Sequence, residues 1–324
     1  METWDDVDRA LAAAPGVASA WIGPVGGPPT YTRRADATHY AASTMKVGVL
    51  VALHRAAAAG RIDLDASVTV HNRHRSAVPG APDFANTPEE DSDTETWTHL
   101  GSAVPLRWLA RRMIVRSGNL ATNLCLAAVG QPAVEEVWAL AGARHSVTGR
   151  GIEDAAAREA GLDNRVTAAD LAALLGAITT AAAVTGPTTP PAARPDATTT
   201  AVTGPATHPT APPDATATAT ATAAIVSGPA AREILGLLEA NEHRDDLAAG
   251  LPDGARIAHK NGWVDGVRHG AGVVFPGDAP AYTVVVCTST GLPDAAARAL
   301  VAEVSAAAWR ARHRLTPAAG PAAR

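Results

Sequence analysis

Residues 255–288 read ARIAHKNGWVDGVRHGAGVVFPGDAPAYTVVVCT. The segments 255–260, 268–275 and 281–288 are rich in apolar and β-branched side chains, and Gly, Pro and Asp separate them. They predict three strands. The apolar run from Ala281 to Thr288 is nearly continuous, which fits a strand covered on both faces. Downstream, 293–313 predicts a closing helix. At the other end of the chain, Val17-Ala-Ser-Ala-Trp-Ile22 predicts one more strand, ended by the Gly/Pro cluster at 23–29. Between these ends the apolar spacing predicts helices at 43–59, 105–115, 119–129, 132–141, 167–180 and 228–240. Thr167-Ala-Ala-Asp170 has the spacing of a capping box. One early strand, a helical middle and late strands with a last helix predict an α/β (α+β) fold. Residues 1–60 and 225–324 would form one lobe, with a helical lobe, 61–180, inserted into it.

Two stretches stand apart. Residues 71–99 are polar with few apolar anchors and read as a long surface excursion. Residues 181–224 are almost entirely Ala, Thr and Pro and read as a disordered insert, because they cannot bury enough surface to offset chain entropy.

The whole chain has 324 residues, 47% of them hydrophobic, which is enough for a substantial core. With 27 basic and 32 acidic residues the net charge is −5, which argues against a nucleic-acid or anionic-membrane binder. The acidic start, Met1-Glu2-Thr3-Trp4-Asp5-Asp6, has neither a cationic nor an apolar leader segment, so a cytoplasmic location is expected. Cys125 and Cys287 make no disulfide framework and read as buried, reduced thiols.

Of the 27 basic residues only Lys46 and Lys260 are lysines. An arginine is effectively never deprotonated, whereas a desolvated lysine beside another cation can lose its proton. The two lysines are therefore the first places to look for proton chemistry. Ser43-Thr-Met-Lys46 opens the first long helix, and residues three apart share a helix face, so the amine can sit beside the hydroxyl. A serine becomes a strong nucleophile when a neighbouring base takes its proton. Lys260 would be the second cation that keeps Lys46 a base, so that both amines converge on Ser43. The simpler alternative makes Ser43 a helix cap. Ser117-Gly118-Asn119 lies between two predicted helices, where Ser117 and Asn119 could also be caps. Lys260-Asn261-Gly262 ends the predicted strand that begins at Ile257.

Ser-x-x-Lys, then Ser-Gly-Asn, then Lys-Asn-Gly resembles the motif series of class A β-lactamases and other penicillin-recognising serine hydrolases, which use Ser-x-x-Lys, Ser-Asp-Asn and Lys-Thr-Gly. The segment from Leu109 through Ser117 to Leu124 looks like that family's helix–motif–helix unit, and His259-Lys-Asn-Gly-Trp263 with Val267-Arg-His-Gly looks like its paired strands. The resemblance implies a β-lactamase-like antiparallel sheet flanked by helices, with an inserted all-helical lobe and the site between lobes. It implies a serine hydrolase without metal or organic cofactor, acting on a small-molecule substrate as a monomer. Ser43 would be acylated, Lys46 would be its base, and Ser117 would relay a proton to the leaving group. Asn119, Lys260, Asn261, Gly262 and Trp263 would hold the substrate, with the Ser43 and Trp263 amides as oxyanion donors. Glu153 would activate the deacylating water, with Asp154 as the fallback.

Three departures accompany the likeness. Gly118 stands where the family has Asp, Asn261 where it has Thr, and Ala157 where it has an Asn four residues after the loop Glu. A β-lactam is the family-typical substrate, and a small ester or amide is the rival. A third possibility is a catalytically silent penicillin-binding-like module. Elsewhere, Arg268 reads as a surface arginine or as a replacement partner for a substrate carboxylate. His259 and His269 read as satisfied structural histidines. His71 and His74 are spaced for a metal but lack an evident third ligand.

Overall fold

A computed structural model describes residues 1–184 and 224–315. In chain order the elements are α1 (Trp4–Ala13), β1 (Gly16–Pro24), β2 (Tyr31–Arg33), β3 (His39–Tyr40), α2 (Lys46–Ala58), β4 (Ser67–Thr69), α3 (Thr94–Thr98), β5 (Ala103–Pro105), α4 (Leu106–Val115) and α5 (Asn119–Val129). They continue with α6 (Gln131–Leu140), β6 (Val147–Thr148), α7 (Ala155–Glu159), β7 (Asn164–Val166), α8 (Ala168–Ala183), α9 (Gly228–Glu239), β8 (Arg256–Val264), β9 (Val267–Phe275), β10 (Tyr282–Thr290) and α10 (Asp294–Ala311).

The main sheet is antiparallel with order β2-β1-β10-β9-β8. Its centre is β10, buried along almost its whole length, as the unbroken apolar run requires. One face packs on α1 and α10 through Val7, Leu11, Val284, Val301 and Val304. The other face meets the helices through Val273 and Val285, which join Leu50, Leu53, Met113 and Leu174 in one continuous core. The helix α2 runs through this core, with ten of its thirteen residues buried, as expected of a helix that is apolar all round.

Four sequence expectations shift. Residues 43–59 are not one α-helix: Ala42–Met45 forms a 3-10 turn and α2 starts at Lys46. Thr44 binds back to the Ala41 carbonyl through its hydroxyl at 2.6 Å and its amide at 3.1 Å, which tightens that turn. The strand expected at 255–260 continues to Val264, so Lys260, Asn261, Gly262 and Trp263 lie within β8. Thr167 caps α8 by accepting the Asp170 amide, but the Asp170 carboxylate does not return the bond. It binds the amides of Arg144, His145 and Ser146 instead. The insert expected at 181–224 overlaps α8, which continues to Ala183, and 185–223 lies outside the described residues.

The largest correction concerns 71–99. It is exposed over much of its length, as expected of a surface excursion, but it is anchored by buried polar residues, His74, Ser76, Asn86, Asp91, Asp93 and Thr96. Hydropathy failed here because what the segment buries is polar, and each buried carboxylate brings its own donors.

Candidate active site

A cleft of about 960 Å³ opens between the β8 edge and the helices, and Ser43, Ser117, Asn119, Glu153, Trp263 and Arg268 line it. Four non-glycine residues among those described have positive φ, and three of them lie in this cleft: Ala42 at 45°, Ser117 at 58° and Glu153 at 71°. Left-handed backbone at a side-chain-bearing residue costs free energy, and such conformations gather at functional sites.

Ser43 sits in the 3-10 turn, where three residues make one turn, so Ser43 and Lys46 fall on the same side. Ser43 caps no helix: the residue before the turn is Ala41, and no side chain caps it. Strand β8 lies hard against this turn. A Cβ on Gly262 would be 2.9 Å from the Ser43 amide nitrogen and 3.1 Å from the Ala41 carbonyl oxygen, so only glycine permits the approach. Gly262 thus acts through closeness of backbone, not through a side chain.

Both lysines are fully buried beneath the cleft. The Lys46 ammonium donates to the Ser117 carbonyl at 2.6 Å, to the Asn119 Oδ1 at 2.9 Å and to the Ser117 hydroxyl at 3.4 Å. The Lys260 ammonium donates to the Ser117 hydroxyl at 3.0 Å and to the Asn261 carbonyl at 2.9 Å. The hydroxyl on which the two amines converge is therefore Ser117, not Ser43. Desolvation pulls Lys46 down to about 7, opposed by Asp91 and Asp93. Desolvation, then the Lys46 and Arg268 charges, hold Lys260 well below the ordinary lysine range, and Asp246 opposes them.

Neither Ser117 nor Asn119 serves as a cap. Gly118 occupies the N-cap of α5 and offers no side chain. Asp91 caps this helix from outside by accepting the amides of Asn119 and Leu120, each at 2.9 Å. The Asn119 carboxamide is free to take Lys46 on one side and to donate to the Glu90 carbonyl on the other.

Glu153 lines the cleft, and its two oxygens accept the Asn86 side chain at 3.0 Å and the Thr87 amide at 2.7 Å. Its turn is held by Asn123, which both donates to and accepts from the Ile152 backbone. Asp154 does not reach the cleft. It is buried, caps α7 and binds Ser76 and the Ala77 amide. The fallback assignment is thereby replaced by a structural one. Ala157 is the buried residue within α7.

Asn261 is fully buried. Its carboxamide donates to the His243 carbonyl and to Asp246, each at 3.1 Å, and accepts from Asn241 at 3.3 Å. Its Oδ1 also lies 3.5 Å from the Lys260 ammonium, so the carboxamide is held in place while that ammonium reaches on to Ser117. Burial raises the Asp246 carboxyl to about 6. Arg268 is no surface arginine: it is 4% exposed, pairs with Asp245 at 3.1 Å and lies over the half-buried Trp263 ring at 5.4 Å. His269 is satisfied by the Tyr40 carbonyl and the Thr288 amide, but both ring nitrogens of the buried His259 lack partners among the described residues. His74 packs on Phe84, 5.7 Å from the His71 ring, and Cys125 and Cys287 are buried thiols.

The residues that sequence reasoning missed are Asp91, Ser92 and Asp93, which clasp the Ser117–Asn119 loop, and Asn86 and Asn123, which hold Glu153. One signal was present. A glycine between two helices leaves space that another side chain must fill.

A family model described as the beta-lactamase enzyme family matches residues 2–194 and 196–311. Among solved structures, a beta-lactamase from Sphaerobacter thermophilus superposes with a TM-score of 0.71 at 22% identity, covering 98% of this chain and 100% of its own. A beta lactamase from Xanthomonas campestris gives 0.69 at 15% identity, with 95% and 96% covered. A variant of PBP-A, solved as an acyl-enzyme complex with penicillin G, gives 0.68 at 20% identity, with 96% of each chain covered. At these identities the likeness establishes the fold. No curated protein matches the chain closely enough to count as a relative.

Proposed function

The chain belongs to the beta-lactamase enzyme family, and within that family of serine hydrolases we propose that it opens a β-lactam amide through a covalent Ser43 ester. The observation that carries this reading is the pair of buried amines beneath the cleft, both within reach of the Ser117 hydroxyl. Lys46, with its proton affinity lowered to about 7, takes the Ser43 proton as Ser43 Oγ bonds to the carbonyl carbon. The amides of Ser43 and Trp263 receive the developing oxyanion. Ser117, bonded to both lysines, returns a proton to the departing nitrogen as the carbon–nitrogen bond breaks. Glu153 then takes a proton from the water that attacks the ester, which releases the acid and restores Ser43.

Trp263 and Arg268 form the wall where a substrate carboxylate would lie, with Lys260 supplying positive potential from below. That assignment replaces Asn261, whose carboxamide is already committed.

A second reading, a long-lived acyl-enzyme, is favoured by one observation. Both Glu153 oxygens are engaged by Asn86 and Thr87, and Lys46 bonds to Ser117 and Asn119 rather than to Glu153.

Intact-mass spectrometry after mixing with a penicillin, with Ser43→Ala as control, tests both readings. A transient adduct with hydrolysed product supports a β-lactamase, and a persistent adduct supports the second reading. No adduct with penicillin but labelling by a fluorophosphonate would move the substrate to a small ester or amide. No adduct with either would leave a silent module.

A further inference from the structure

Gly118 has φ −58°, ordinary for any residue, yet a Cβ there would lie 2.9 Å from the Asp93 Cβ and 3.1 Å from its Oδ2. The space beside the loop is thus taken by a carboxylate that arrives from a different part of the chain. Asp93 is fully buried. It accepts the Thr96 hydroxyl at 2.5 Å and the Glu95 amide at 3.3 Å, and the Arg112 guanidinium grips both its oxygens. Two residues earlier, Asp91 binds the amides of Asn119, Leu120 and Asp93 and the Trp97 indole. Between them, Ser92 donates to the Arg116 carbonyl at 2.7 Å and to the Ser117 carbonyl at 3.3 Å. That same Ser117 carbonyl receives Lys46 at 2.6 Å.

We propose that Asp93, seated in the volume Gly118 leaves open and supported by Asp91, is the positioning residue that sets the Ser117–Asn119 loop and the negative potential around the Lys46 amine. This deepens the reading of Lys46 as the base for Ser43 and rests on it. Asp93 touches no substrate position. Its effect runs through the loop backbone and through charge.

The charged groups around Lys46 come from three sides. Lys260 on β8 is a second amine, itself held well below the ordinary lysine range by burial. Asp91 and Asp93 from the segment before α4 are negative. Arg112 on α4 is positive and neutralised by Asp93, and Asp246 stands behind Lys260. Removing the Asp93 charge takes away one stabiliser of the ammonium and leaves Arg112 as a further cation. Both effects lower the proton affinity of Lys46. A plain helix-capping role for Asp93 at α3 would cost stability without moving that titration.

The scarcity of lysine supplies the test. Lysine-selective carbon-13 labelling gives two side-chain signals, Lys46 and Lys260, and a Lys260→Arg sample assigns them. In Asp93→Asn the Lys46 midpoint is expected to fall by about one pH unit, a common scale for loss of a neighbouring charge. The acid limb of acylation should move to lower pH by the same amount, while the plateau above it falls by less than about tenfold because the base is weaker. The exchange Asp93→Gly with Gly118→Asp returns a carboxylate to the same volume and should restore midpoint and rate toward wild type. Should Asp93→Asn fail to fold, Gly118→Ala retains the carboxylate and pushes it aside, and its Lys46 midpoint should move in the same direction. An unmoved midpoint in the folded variant overturns the proposal whatever the melting temperature does. So does an exchange that melts like wild type yet leaves the midpoint displaced. Because the signals need no substrate, a wild-type protein that takes no penicillin would sink the functional reading and leave this test readable.

Discussion

The Lys260 ammonium lies 3.0 Å from the Ser117 hydroxyl. The Lys46 ammonium lies 3.4 Å from that same hydroxyl. Two amines sharing one buried hydroxyl cannot both hold a proton cheaply, since each charge opposes the other and neither is solvated. Desolvation holds Lys46 at about 7, so it is available as a base near neutral pH. Ser117 is the joint through which a proton can pass between them. In the proposed mechanism Ser43 stands in the cleft while the two amines stay dry below.

Acylation should accordingly rise with pH through about 7, because Lys46 accepts a proton only when neutral. Adduct formation with a penicillin between pH 5 and pH 9, followed by mass, reads this directly. Lys46→Arg keeps the cation and removes the acceptor, so its acylation should fall by about 10²–10⁴ with little change in circular dichroism. A flat wild-type profile, or unchanged kinetics in the arginine variant, would remove Lys46 from the role of base.

Glu153→Gln should leave acylation near wild type and lengthen the life of the adduct by about 10²–10⁴, the usual worth of a general base. The glutamine can still meet Asn86 and Thr87 through its oxygen, so the turn should hold. If adduct lifetimes match, water activation lies elsewhere and the long-lived acyl-enzyme becomes the better account.

Much of this architecture was legible beforehand, for stated reasons. The apolar runs of β8, β9 and β10 are long enough to speak for themselves, and two lysines among twenty-five arginines point to the amines that matter. What stayed hidden was polar burial. Asp91 and Asp93 sit in a stretch with almost no apolar residues, and only their donors, spread over α3, α4 and α5, make them core. Asn261 was misread because Lys260 was placed at the end of a strand. Within β8 the Asn261 carboxamide is buried against Asn241, His243, Asp246 and the Lys260 ammonium, partners that sequence spacing does not reveal. The convergence on Ser117 instead of Ser43 was also beyond reach, since spacing along one helix cannot say where a long side chain from another element will rest.

Asp154→Ala should destabilise the protein by about 2–3 kcal/mol, since it removes the α7 cap and leaves the buried Ser76 hydroxyl without its acceptor. Thermal melting measures it. Acylation in the folded fraction should change little, because Asp154 faces away from the cleft. A large loss of acylation with unchanged melting would return Asp154 to the chemistry.

Burying Lys46 should also leave a mark on stability against pH. Its proton affinity is about 7 folded and 10.5 as an ordinary lysine. Between those values the unfolded chain holds a proton that the folded chain lacks, so this group makes stability rise with pH. Below about 7 both states are protonated and the penalty is constant. Over that window it amounts to about 5 kcal/mol as an upper figure, since each pKa unit is worth about 1.4 kcal/mol. Lys46→Met removes the titration while filling similar space, so its denaturation midpoint should depend less on pH from 7 to 10 and lie above wild type at pH 7. The lost bonds to Ser117 and Asn119 work against that gain. The slope is therefore the sharper readout, and a variant whose slope equals wild type would mean that Lys46 is not desolvated as the structure has it.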